Sequence, residues 1–108
     1  MIPIRLFFAA AFMCAGALQP SFAAADLKQG ETLLTRDCSP CHAVGATGNS
    51  PRADAPAFRT LGTRYPIEQL EEALGEGIMS GHPDMPEFKF DADEVGDIID
   101  YLKSIQKP

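Results

Sequence analysis

Three stretches of the chain repeat apolar residues at helical spacing, and between them the pattern dissolves. The clearest is "DADEVGDIIDYLKSIQK", where Val95, Ile98, Ile99, Leu102 and Ile105 form one stripe. Asp91 and Glu94 stand at capping-box positions. Acids crowd the first turns, and Lys103 and Lys107 sit near the end, complementing the helix macrodipole. In "YPIEQLEEALGEGI" the stripe is Ile67, Leu70, Ala73 and Leu74. Pro66 suits the first turn, Gly77 suits a C-cap, and Gly75 weakens the end. In "DLKQGETLLTRDC" Asp26 can cap, with Gln29 at the capping-box position, and Leu27, Gly30, Leu33 and Leu34 share a face. A glycine inside a helix costs about 1 kcal/mol against alanine, so Gly30 predicts a close backbone approach. The intervening "AVGATGNSPRADAPAF" is too polar and interrupted for regular structure and reads as a long loop. No period-2 strand and no internal repeat appears, so the predicted fold class is all-α.

Ahead of the first helix the pattern is of another kind. Arg5 is followed by "LFFAAAFMCAGAL", an apolar run too short to span a bilayer comfortably, and then by small residues in "SFAAAD". Residues 1–25 therefore read as a secretory signal, cut after Ala23 or Ala25, and residues 26–108 as one domain. A retained N-terminal anchor is the alternative. A lipoprotein is disfavoured, because "AFMC" lacks the small residue expected before a lipidated Cys14. The expected product is exported, periplasmic and soluble, with no integral membrane segment once the signal is gone.

Processing changes the composition that matters. Of three cysteines only Cys38 and Cys41 remain, both inside "CSPCH". Lys plus Arg falls from nine to eight against fifteen Asp plus Glu, a net charge near −7. Such a chain is a poor partner for nucleic acid or an anionic membrane. About 83 residues build only a marginal core, so a staple of some kind is expected.

Cys-x-x-Cys-His supplies it. Two thiols separated by two residues can each add to one vinyl group of a single porphyrin, and the adjacent His42 can then ligate the iron; this is the attachment pattern of haem c. A neutral imidazole needs an acceptor for its other N–H to fix the ring. A zinc site would require two more Cys or His ligands, and only His82 is left. A thioredoxin-like pair would need strands. A plain disulfide is the remaining alternative.

A saturated haem iron needs a second axial ligand, and Met79, His82 and Met85 are the candidates. A thioether suits ferrous iron and holds ferric iron weakly, so a stiff loop favours retention. In "GHPDMPEF" Pro83 and Pro86 fix φ on either side of Met85. Met79 reads more naturally as core filler. His82 would give a bis-His site of lower potential and reads otherwise as a polar loop residue.

"CSPCH" early, "MPEF" from Met85 and a final amphipathic helix ending "IIDYLKSI" together resemble a small class I c-type cytochrome of the bacterial monohaem type. The resemblance covers essentially residues 26–108. It implies a cytochrome c fold, with three main helices and long loops wrapped around one covalent haem c. It also implies that the first and last helices cross with Gly30 against Tyr101. Cys38 and Cys41 would form the thioethers, with His42 as proximal ligand, Met85 as distal ligand, and the Pro56 carbonyl of "APAF" accepting from His42. Two departures stand out. There is no Trp to meet a haem propionate, leaving Arg59, Arg64 or Tyr65 as substitutes. The lysine ring that docks mitochondrial cytochromes is reduced to Lys28, Lys89, Lys103 and Lys107, so the expected redox partners present basic or apolar surfaces.

Three functions compete. The first is a soluble monohaem electron carrier, not an enzyme, cycling one electron under His/Met ligation. The second is a haem c subunit of a larger dehydrogenase or oxidase complex. The third is a gas-binding or peroxidase protein with an open iron position; it is disfavoured because gas-binding four-helix cytochromes carry the haem motif in their last helix. Glu71, Glu72, Asp91 and Asp93 read as solvated helix faces and a cap, not as catalytic groups.

Overall fold

The structure, a computed structural model, describes residues 3, 10–16, 26–78 and 84–107 of the 108. Three α-helices carry it: α1 (Leu27–Cys38), α2 (Leu70–Glu76) and α3 (Ala92–Ile105). Two 3₁₀ turns, Phe58–Thr63 and Ile67–Gln69, lie between α1 and α2. Among the described residues there is no strand, only an isolated antiparallel bridge between Ile78 and Phe88. The fold class is all-α.

The stripes read from the sequence build the core. Leu33, Leu34, Leu74, Val95, Ile98, Ile99 and Leu102 are all buried, and Ile98 has no exposed surface. Leu27, the first residue of α1, departs from expectation and is exposed. The crossing of α1 and α3 sits at Gly30. A Cβ built on Gly30 would lie 2.8 Å from the Asp97 carbonyl carbon and 2.9 Å from Tyr101 Cβ. The glycine is there because α3 occupies the space of its side chain.

The caps hold with one difference. Asp91 and Glu94 form the reciprocal capping box of α3. Asp26 accepts from the Gln29 N–H at α1, but the Asp26 N–H turns to α3 and donates to Asp97 Oδ1 at 2.9 Å. The cap thus also pins the helix crossing.

The second helix is shorter than its pattern suggested. Pro66 adopts an extended conformation as N-cap, Ile67–Gln69 winds as 3₁₀, and α-helix begins only at Leu70. A tight first turn is a common way to open a helix. Gly77 closes α2 with φ of 115°, which favours glycine, and its N–H donates to Ala73 O at 2.9 Å. The other 3₁₀ turn gave no periodic signal, since only Phe58 and Leu61 of its six residues are buried. Those two stand one 3₁₀ period apart, so they share a face. Gln106 fastens this turn to the end of α3, donating to Phe58 O and Leu102 O and accepting from the Gly62 N–H, each at 2.8 Å.

Candidate functional site

The "CSPCH" turn begins where α1 ends. Cys38 is the last helical residue, and its carbonyl accepts from the N–H groups of Cys41 (3.2 Å) and His42 (2.9 Å). That tight turn sets both thiols and the imidazole on neighbouring positions of one rim. All three cysteines, including exposed Cys14, are free thiols. Burial pushes the Cys38 thiol up to about 11, with Asp37 and Cys41 adding to the effect, so it stays protonated at neutral pH.

His42 is held from behind. Its Nδ1 lies 2.8 Å from the Pro56 carbonyl oxygen, and its ring packs on Phe58 with centroids 4.7 Å apart. A carbonyl can only accept, so the neutral ring carries its proton on Nδ1 and keeps the Nε2 lone pair free for a metal. The surrounding loop is polar but tied down. Ala43 donates to Ser50 Oγ (3.0 Å), Phe58 to Ala43 O (2.9 Å), and Tyr101 to Val44 O (2.7 Å).

These groups border a cavity of about 610 Å³, within the range that cofactors occupy. Cys38, Cys41, His42, Pro56 and Met85 all line it. The rest of the lining is largely core: Leu34, Leu61, Leu74, Phe90, Ile98 and Leu102. Met85 is half-buried and is followed by the Ile78–Phe88 bridge and by the Phe90 N–H donating to Leu74 O at 2.9 Å. The rival ligands Met79 and His82, and Pro83 with them, lie outside the described residues.

Two thiols, an imidazole with a free Nε2 and a thioether around an apolar cavity fit an iron porphyrin. An apolar ring face needs such walls, and imidazole and thioether are both iron ligands. Among the described residues no group of three or more His, Cys, Asp or Glu could hold a bare metal ion. The three residues put forward for a propionate separate. Arg59 is spent on the Gly48 carbonyl at 2.7 Å and does not line the cavity, whereas Arg64 and half-buried Tyr65 do.

One rim residue was not anticipated. Arg52 lines the cavity and pairs with both Asp54 (2.7 Å) and Asp84 (3.1 Å). Its only sequence signal is a cation within the long loop that follows His42. No helix among the described residues is long and apolar enough to cross a membrane.

A family model described as cytochrome C oxidase, cbb3-type, subunit III matches residues 25–102. No curated protein and no solved structure matches the chain.

Proposed function

The chain belongs to the family of the cytochrome C oxidase, cbb3-type, subunit III, a class I c-type cytochrome domain that carries haem c for electron transfer, and on that premise we propose a single-haem carrier with His42 and Met85 as axial ligands. The bond from His42 to the Pro56 carbonyl carries this reading, since it fixes the tautomer and leaves Nε2 for iron. When bound, the haem supplies a one-electron couple that the polypeptide lacks. The chain's own residues do the rest. Cys38 and Cys41 anchor covalently, and the apolar lining excludes water. A thioether ligand favours the reduced form and raises the potential. Arg64 and Tyr65 stand where they could receive a propionate. With His42 and Met85 both holding the iron, no ligand position would be open to a substrate, and the protein would pass electrons without itself being an enzyme.

The proposal extends to setting. Residues 1–25 are a signal, and the mature chain works in the periplasm. Its net charge near −7 suits redox partners with basic or apolar docking surfaces. A second reading is favoured by the family match, which names an oxidase subunit: the chain serves as the haem c subunit of a larger complex. Co-purification from native membranes separates the two, a stable stoichiometric complex supporting the subunit and a free monomeric haemoprotein the carrier.

The ligand assignment is tested on the oxidised holoprotein. The weak long-wavelength methionine-to-iron charge-transfer band should be present, vanish in Met85→Ala, and persist in Met79→Ala and His82→Ala. Persistence in Met85→Ala would overturn the assignment. Rapid carbon monoxide binding by the reduced wild type would instead reveal an open iron position.

A further inference from the structure

Met85 is bracketed by contacts of two kinds. On its C-terminal side the backbone is tied to the α2 region, through the Ile78–Phe88 bridge and the Phe90 bond to Leu74. On its N-terminal side stands Asp84, whose carboxylate accepts from an Arg52 guanidinium nitrogen at 3.1 Å across 32 positions of chain. Arg52 is anchored twice elsewhere. Its backbone N–H donates to the Cys41 carbonyl at 3.1 Å, one residue before His42. Its Nε donates to Asp54 Oδ1 at 2.7 Å. Arg52, Asp54, Asp84 and Met85 all line the cavity.

We propose that Arg52 is a positioning residue for the distal ligand, coupling the segment beside His42 to the segment beside Met85 and so slowing loss of the thioether from iron. The inference rests on the His42/Met85 ligation proposed above. Its physical basis is preorganisation. The Asp54 bond restrains the guanidinium and the Cys41 bond restrains the backbone that carries it, so the bond to Asp84 orders little that was free. A thioether holds ferric iron weakly, and the time it spends there depends on how firmly its own segment is held. The pair is partly solvent-exposed, with side chains 41% and 68% accessible, which limits its strength. The effect is therefore small, salt-sensitive and kinetic.

Stopped-flow displacement of Met85 by imidazole, a neutral ligand above its own pKa, reads it directly in the oxidised holoprotein. Arg52→Gln and Asp84→Asn should each accelerate displacement by about two- to fivefold, the range for an exposed ion pair. The double variant should be no faster than either single one, and Arg52→Lys should recover part of the loss. Wild type should also accelerate with added salt, a measurement that needs no variant to fold. Single variants at the wild-type rate, effects that multiply in the double variant, or a salt-independent wild type would each overturn the role of Arg52. If the charge-transfer band survives in Met85→Ala, the ligand assignment itself has failed; if it vanishes there while the rates stay flat, only the Arg52 coupling has.

Discussion

Gly30→Ala sets two physical rules against each other. Helix propensity alone predicts a gain, because alanine is worth about 1 kcal/mol over glycine in a helix interior. Packing predicts a loss. The new methyl would sit 2.8 Å from the Asp97 carbonyl carbon and 2.9 Å from Tyr101 Cβ, and would also crowd the Asp97 carbonyl oxygen. Carbon atoms pack best at about 3.5–4.0 Å, so each contact is roughly 0.6–1.2 Å too short. The obstacles are backbone and Cβ of α3, which cannot swing aside as a side-chain tip could. Relief requires α1 and α3 to part, which also stretches the 2.9 Å bond from the Asp26 N–H to Asp97. Overpacking of this kind costs about 1–3 kcal/mol, and rigid neighbours place it in the upper half of that range. After the propensity gain, about 1–2 kcal/mol of net destabilisation remains. For a domain of this size that is a fall in Tm of about 4–16 °C. The control is Gly96→Ala, in the exposed face of α3, where a built Cβ meets nothing within 4 Å. That variant should raise Tm. Thermal unfolding of both holoproteins followed by far-UV circular dichroism decides the matter. A Gly30→Ala variant at or above the wild-type Tm would refute the helix crossing as described.

Tyr101→Phe should lower Tm by about 4–8 °C in the same assay, the equivalent of about 1 kcal/mol, by removing the hydroxyl that donates to Val44 O at 2.7 Å. The hydrogen bond from Lys103 holds the Glu68 carboxyl below its ordinary pKa, and the same bond raises Lys103. Their mutual stabilisation is present above the ordinary Glu value of about 4.3 and lost as pH falls through the lower folded value; on the alkaline side it is present below about 10.4 and lost as pH rises through the raised lysine value. Glu68→Gln should therefore be slightly less stable than wild type near neutrality, and equally stable in acid, by urea midpoints measured across pH. Arg64→Gln should lower the reduction potential in redox titration, because losing a cation at the cavity favours the oxidised centre. Arg59→Gln, committed to Gly48 away from that cavity, should lower it less.

What could be read from the chain was whatever depends on near neighbours. The α3 stripe and its Asp91–Glu94 box are set by residues three or four apart, so periodicity revealed them. The Cys-x-x-Cys-His motif is local, and a single turn after α1 brings its two thiols and imidazole to the rim of one cavity. Gly30 announced a close approach by its cost, although only the resemblance to a known fold suggested Tyr101 as the neighbour. The misreadings have one cause. Leu27 matched the stripe but is exposed, and the Asp26 N–H expected near Gln29 found Asp97 instead. Arg59, Arg52 and Gln106 are polar residues in or beside loops, and their partners Gly48, Asp84 and Phe58 depend on where the chain returns. Hydrophobic periodicity carries no information about that return, because a polar loop residue has equivalent contacts with water in every register until tertiary packing brings an acceptor near. The candidate site thus has two layers. The Cys38–His42 turn is contiguous and is legible in the sequence, while Pro56, Met85 and Arg52 join it at the cavity only when the chain has packed.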